Sequence, residues 1–268
     1  MRSALIQVIQ QVAQEQILPR YQKVRHDRKA DGSLFTEADL ATQEALAGIL
    51  PTLVDCPLLG EEMSSAAQKK LWQEHDTLWC VDPIDGTSNF VQGIPYFAVS
   101  VALLRRGKPV LGAVYDPLAR EMFVAEAGQG AWMNDLPLSA PRTPATLAQT
   151  MAAVDLKRLP PHLSRALACH PPYASQRNFG ACTLEWCHVA AGRFGVSLHG
   201  GQKLWDYAAG ALILEEAGGV YASLEGTPFW SGDPWTRSVV AACHPALFTQ
   251  WQDWLHRFFT APETPRTT

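Results

Sequence analysis

Apolar residues at Leu5, Val8, Ile9, Val12 and Ala13 recur at i, i+3, i+4, i+7 and i+8, the stripe of an amphipathic helix, which Pro19 should disturb. The polar stretch 25–33, ending in Asp31-Gly32, reads as a turn. Thr36 is the expected N-cap of a second helix running to about Leu50, with Asp39 three residues into it. Residues 57–61 and 78–81 read as short strands. From 97 to about 138, apolar runs are punctuated by Arg106-Gly107-Lys108, Asp116-Pro117 and Asn134-Asp135, which predicts a meander of antiparallel strands.

The pattern changes after Ala140-Pro141-Arg142-Thr143-Pro144. This Pro-rich joint is taken as a boundary between an N-terminal part, 1–140, and a C-terminal part, 141–268. Beyond it strands and helices alternate: strand 152–155, a helical turn at 163–167, helix 182–191, strand 194–198, helix 206–217 closed by Gly218-Gly219, and strand 239–242. That order predicts a smaller α/β unit. Residues 260–268 read as a frayed tail, and the chain has no internal repeat.

Composition narrows the class. A chain of 268 residues, 47% hydrophobic and 18% charged, can bury a core without disulfides or structural metal, and it is neither disordered nor fibrous. No apolar run approaches the roughly 20 residues of a spanning helix. The start of the chain has no sustained apolar segment followed by small residues, so a cytoplasmic location is expected. The six cysteines, at 56, 80, 169, 182, 187 and 243, form no CxxC pair and read as reduced thiols. A net charge of −4 gives no reason to expect nucleic acid or an anionic membrane as the main partner. Binding an anion would need a local device.

The segment Trp79-Cys80-Val81-Asp82-Pro83-Ile84-Asp85-Gly86-Thr87-Ser88-Asn89 holds the most chemistry. A strand delivers two carboxylates three residues apart, Pro83 breaks regular pairing, and Gly86 permits close backbone approach. Taken alone, Asp-Pro and Asp-Gly are turn dipeptides, and Asp206 or Asp39 could be an ordinary helix cap. Gathered together with Glu61, these acids would raise one another's pKa unless hard divalent cations sat between them. An oxygen-only donor set points to Mg²⁺ rather than zinc.

Gly-Glu-Glu at 60–62, Asp-Pro-Ile-Asp-Gly-Thr at 82–87 with Asn89, and Trp-Asp-Tyr-Ala-Ala-Gly at 205–210 before Glu-Ala-Gly-Gly resemble the motifs of the inositol monophosphatase family, in order and spacing, over nearly the whole chain. The resemblance implies an α/β (α+β) fold, the layered α/β/α/β/α sandwich of lithium-sensitive, Mg²⁺-dependent phosphatases. It implies two or three Mg²⁺ per site: Glu61, Asp82 and the carbonyl of Ile84 for the first, and Asp82, Asp85 and Asp206 for the second. Thr87, backed by Asp39 and aided by Glu61, would orient the attacking water. The amides of Gly86 and Thr87 would hold phosphate oxygens, and a water near Asp206 would protonate the leaving alkoxide. Substrate contacts would come from Asp85, Gly86, Thr87, Cys182, His199 and Asp206.

One position departs from the pattern. Relatives that hydrolyse inositol phosphate carry Glu seven residues before the Trp-Asp aspartate, where this chain has His199. Imidazole cannot accept from two vicinal hydroxyls, so His199 is either a contact for an acidic or second phosphate group or a plain loop residue. Lys203 is either a second anion contact or a solvated charge. The expectation is a cytoplasmic, homodimeric phosphomonoesterase acting on a small polyol phosphate, with inositol 1-phosphate leading. Nucleotide 3′-phosphates, sugar bisphosphates and histidinol phosphate follow. The reading from another class is an RNA- or protein-binding regulator with secondary catalysis.

Overall fold

The computed structural model describes residues 1–23, 26–28, 34–140 and 145–259, without the side chains of 26–28, 34 and 259. Asp31-Gly32, the joint at 141–144 and the tail from 260 lie outside the described residues. Helix α1 (Arg2–Val12) buries Leu5, Ile9 and Val12 and continues as a π-helical turn to Ile17, short of Pro19. Part of the stretch expected as a turn is instead strand: β1 (His26–Arg28) pairs antiparallel with β2 (Leu34–Thr36). Helix α2 (Glu37–Leu53) starts at the predicted cap, where Thr36 Oγ1 accepts from the Ala38 amide and Asp39 reaches back to the Thr36 amide.

The first large sheet has seven strands in chain order. β3 (Leu58–Gly60) runs parallel to β4 (Thr77–Asp85), with α3 (Ser65–Glu74) between them, and the short α4 (Thr87–Gln92) follows β4. The expected meander is present as β5 (Ala98–Arg105), β6 (Lys108–Asp116), β7 (Glu121–Glu126), β8 (Gly130–Met133) and β9 (Leu136–Leu138), all antiparallel. Its turns fall where the dipeptides put them: Arg106, Gly107 and Asn134 have φ of 49°, 74° and 53°.

The second sheet is assembled from β10 (Met151–Asp155), β11 (Ser175–Arg177), β12 (Val196–Gln202), β13 (Val220–Ala222) and β14 (Arg237–Ala242), in the order β11-β10-β12-β14-β13. Its helices are α5 (Pro161–Cys169), α6 (Cys182–Ala190), α7 (Leu204–Glu216) and α8 (Pro245–Phe259).

Helices α1 and α2 cover one face of the seven-stranded sheet, α6 and α7 lie between the two sheets, and α5 and α8 cover the far face of the second. This is the five-layer α/β/α/β/α arrangement expected from the sequence. α7 explains its own position, because residues on every side of it, from Leu204 to Leu214, are apolar and buried except Asp206, as suits a helix flanked by protein on all sides. It packs so closely that a Cβ on Gly112 of β6 would stand 3.0 Å from the Cα of Ala209, and one on Gly210 would stand 2.4 Å from the Cβ of Trp186 in α6. One hydrophobic core therefore runs from the first sheet through α6 and α7 into the second, although the two sheets fall on either side of 141–144. No described helix is long and apolar enough to cross a membrane.

Candidate active site

A cavity of about 710 Å³ opens between the two sheets. Of the residues singled out in the sequence, Glu61, Asp82, Ile84, Asp85, Gly86, Thr87, Cys182, His199 and Asp206 line it. Asp39 is absent from that lining and stands behind Thr87.

The position of the two central acids follows from strand geometry. On β4, Trp79 and Val81 point into the core under α1 and α2, while Leu78 and Cys80 point toward α6 and α7. In an unbroken strand Asp82 and Asp85, three apart, would face opposite sides. The pairing of β4 with β5 slips between them: Asp82 stands opposite Ser100 and Asp85 opposite Ala98, so three steps on β4 match two on β5. This bulge, at Pro83, reverses the alternation. Ile84 then joins the α1–α2 side, and both carboxylates turn to the cavity.

The other acids arrive from separate elements. Glu61 follows β3, its amide donating to the Val81 carbonyl at 3.1 Å and its carbonyl accepting from Gln68 Nε2 on α3. Asp206 is the third residue of α7 rather than its cap, and its Oδ2 accepts from the Lys203 amide at 2.8 Å. Gly86 precedes α4 with φ of 88°, and a Cβ there would press on Ala181 and the Tyr96 carbonyl at 3.1 Å, so this position calls for glycine. Thr87 Oγ1 lies 3.0 Å from the Ile84 carbonyl and 3.4 Å from Asp39 Oδ1.

Burial, then mutual repulsion, shapes the electrostatics. Asp82 is pushed well above the usual carboxylate range by burial and then by Glu61, Asp85 and Asp206, and Asp206 is pushed up by burial and then by Asp85 and Glu61. Burial raises Asp85 to about 6 against the donors of Thr183, and Asp39 to about 7 against those of Thr36. Burial with neighbouring carboxylates also drives the Cys182 thiol up, which disfavours the thiolate a nucleophile would need.

These residues fit a hard divalent cation. Asp82 Oδ1 is buried with no hydrogen-bond partner, which is costly unless something else engages it, and every candidate donor is oxygen. Among the described residues no three His, Cys, Asp or Glu groups already stand together as a metal cage. The carboxylates share a cavity without converging on one point.

Several residues were not found in the sequence. Thr183, at the start of α6, holds Asp85 Oδ2 through its amide and hydroxyl, each at 2.7 Å. Asn89 Nδ2 donates to the carbonyls of Tyr96 and Phe179, tying α4 to the chain before α6. Asn89 lies at the end of the 79–89 segment and Thr183 beside Cys182, and neither carries a spacing signal of its own. Asp155 and Arg158 also line the cavity. Nothing in sequence spacing separates that pair from an ordinary Asp-capped turn.

Comparison with known proteins agrees with this geometry. The family model described as "Inositol monophosphatase family" matches residues 1–256. The chain is 35% identical to the Nus factor SuhB of Pasteurella multocida over 204 residues, covering 74% of each chain. It is 32% identical to the inositol-1-monophosphatase of Bacillus subtilis over 228 residues, covering 83% of this chain and 84% of that one. A solved IMPase/NADP phosphatase, complexed with Mg²⁺ and phosphate, superposes with a TM-score of 0.79 at 25% identity, covering 97% of this chain and 94% of that one. With its five layers, its acid-lined cavity and a family match over nearly its whole length, the chain belongs to the inositol monophosphatase family and is a phosphatase.

Proposed function

We propose that the chain hydrolyses phosphate monoesters of small polyols in a Mg²⁺-dependent reaction, with inositol 1-phosphate as the reference substrate. The observation that carries this reading is the turning of Asp82 and Asp85 to one cavity wall by the bulge in β4, with Glu61 and Asp206 facing the same space. Glu61, Asp82, the Ile84 carbonyl, Asp85 and Asp206 would hold the cations. When bound, Mg²⁺ would polarise the phosphoryl oxygens and make water acidic enough to attack at neutral pH.

The remaining steps belong to the chain's own side chains. Thr87 Oγ1 accepts a hydrogen bond from the attacking water while its own proton is directed to the Ile84 carbonyl or Asp39. Glu61 takes the one proton that the water loses on attack, and a water near Asp206 gives a proton to the leaving alkoxide. The Gly86 and Thr87 amides hold the phosphate oxygens at the start of α4. Asp85 is kept in place by Thr183, which leaves its other oxygen to the cavity. Cys182 forms part of the wall and takes no covalent part.

The test is phosphate release across inositol, nucleotide, sugar and histidinol phosphates, with and without Mg²⁺, using Asp82→Asn as the blank. Turnover that needs Mg²⁺ and is lost in the blank is the expected result; turnover indifferent to both would remove the reading. The name Nus factor on several relatives favours a second reading, a regulator that binds RNA or protein. A salt titration of RNA binding checks it, and the net charge of −4 leads us to expect no tight binding at physiological salt. We also expect a homodimer, which light scattering would test.

A further inference from the structure

One part of the cavity wall is built from Asp155, Arg158 and His199. Asp155 ends β10 and is paired in register with His199 on β12. Asp155 Oδ1 accepts from the Lys157 amide at 3.0 Å. Its Oδ2 accepts from Arg158 Nη1 and faces His199 Nε2 at 3.6 Å. His199 Nδ1 accepts from the Gly201 amide at 3.1 Å, so in the neutral ring Nε2 carries the proton and points it at Asp155. The imidazole therefore has no lone pair left for a substrate hydroxyl, and most of the acceptor positions of the carboxylate face protein donors.

Arg158 differs from both. Its guanidinium has five N–H donors in a fixed fork, and Asp155 is engaged by Nη1 alone. The side chain is 55% exposed at the cavity. Its backbone is fixed as well: a Cβ on Gly200 would lie 1.8 Å from the Arg158 carbonyl oxygen, so the turn rests directly on β12 and only glycine admits it there. Lys203 lines the same cavity four residues beyond His199. It adds a further cationic side chain to the cavity lining.

We propose that Arg158, positioned by Asp155 and Gly200 and assisted by Lys203, is a specificity-determining residue that binds a second anionic group of the substrate, a phosphate or carboxylate on the same molecule as the scissile phosphate. This rests on the phosphatase reading above and narrows its substrate class to doubly anionic polyol esters. Guanidinium is suited to either group because its fork matches a planar or tetrahedral oxyanion with two parallel hydrogen bonds.

The experiment compares kcat/KM for an inositol monophosphate, an inositol bisphosphate and a six-carbon aldonic acid phosphate, in wild type, Arg158→Gln and Arg158→Lys, all with Mg²⁺. Wild type should favour one or both doubly anionic substrates, and the substrate favoured identifies the second group. In Arg158→Gln the ratio of doubly to singly anionic kcat/KM should fall about tenfold, the scale of one charge-assisted pair, through KM more than kcat. Arg158→Lys, which keeps the charge and loses the fork, should fall between. No wild-type preference, or an equal loss on all three substrates, would overturn the proposal. If no substrate is turned over, the phosphatase reading has failed. The subsite is then decided by titrating inorganic phosphate into chelator-treated protein, where weak binding lost in Arg158→Gln supports it and no difference between the two proteins overturns it.

Discussion

Asp39 on α2 and Thr87 on α4, 48 residues apart in the chain, meet at 3.4 Å between Oδ1 and Oγ1. The other oxygen of Asp39 accepts both donors of Thr36, each at 2.7 Å. One carboxylate thus closes the helix cap and backs the candidate water-orienting hydroxyl. Asparagine has a single acceptor oxygen and cannot do both. Asp39→Asn should lose about 1 kcal/mol of stability as a damaged cap and lower kcat by about tenfold or more, with KM less affected. Thr36→Ala should show the stability loss alone. Melting curves and steady-state kinetics on both variants check this, and equal kcat effects would disconnect Asp39 from turnover.

Asp82→Asn should separate activity from stability. The buried Asp82 carboxylate is disfavoured by burial and by three neighbouring acids, and an amide removes that penalty while keeping the shape. Turnover should fall by orders of magnitude. The metal-free protein should melt higher than wild type, and the stabilisation that Mg²⁺ confers on wild type by mass action should shrink. Calorimetric melts with and without Mg²⁺ are the measurement; unchanged stabilisation by Mg²⁺ would exclude Asp82 as a ligand.

Much of this was legible in the sequence, for identifiable reasons. The first helix, the Thr36 cap, the hairpin turns and the acids on β4 are local signals, carried by residues adjacent in the chain. α8 has its apolar stripe at Leu247, Trp251 and Leu255, but Trp254 and Phe258, packed beside it, blur the polar face that would have marked it. The edge strands β11 and β13, three residues each, exist through pairing with distant partners and have no periodicity of their own. For the same reason Asp155 and Arg158 stayed hidden: their place on the cavity wall depends on β10 lying beside β12.

His188 should make the fold acid-sensitive. Its ring sits among Tyr96, Phe123 and Phe194 and its Nδ1 is 3.1 Å from Nη1 of Arg193, which is bound to Glu121. Burial, then the Arg193 charge, lowers its pKa from 6.5 to about 4, with Glu121 opposing. The unfolded chain therefore binds more protons between these values, so the contribution is fully present above pH 6.5 and is lost as pH falls toward 4. The loss should be on the order of 2 kcal/mol. Urea unfolding of wild type and of His188→Gln, which cannot titrate, at pH 7 and pH 4.5 would measure it as the extra loss in wild type, because the raised Asp39 and Asp85 titrate alike in both proteins; an equal pH response would remove the His188 assignment.

Gly210→Ala should destabilise the protein although alanine favours helix by about 1 kcal/mol. The new methyl would meet Trp186 Cβ at 2.4 Å and Cγ at 2.6 Å, and Trp186 is itself fixed by a 2.8 Å hydrogen bond to Gln202. Overpacking of this kind costs about 1–3 kcal/mol, more than the propensity gain. A raised melting temperature would mean that α6 can move aside.

The bulge at Pro83 makes the interval between the two central acids a matter of parity. Regular pairing over the same three steps would send the second carboxylate to the side of β4 occupied by Phe90, Phe97 and Val99. An interval of two would bring both acids to the cavity on an unbroken strand, so the odd interval of three and the slip in pairing with β5 depend on each other.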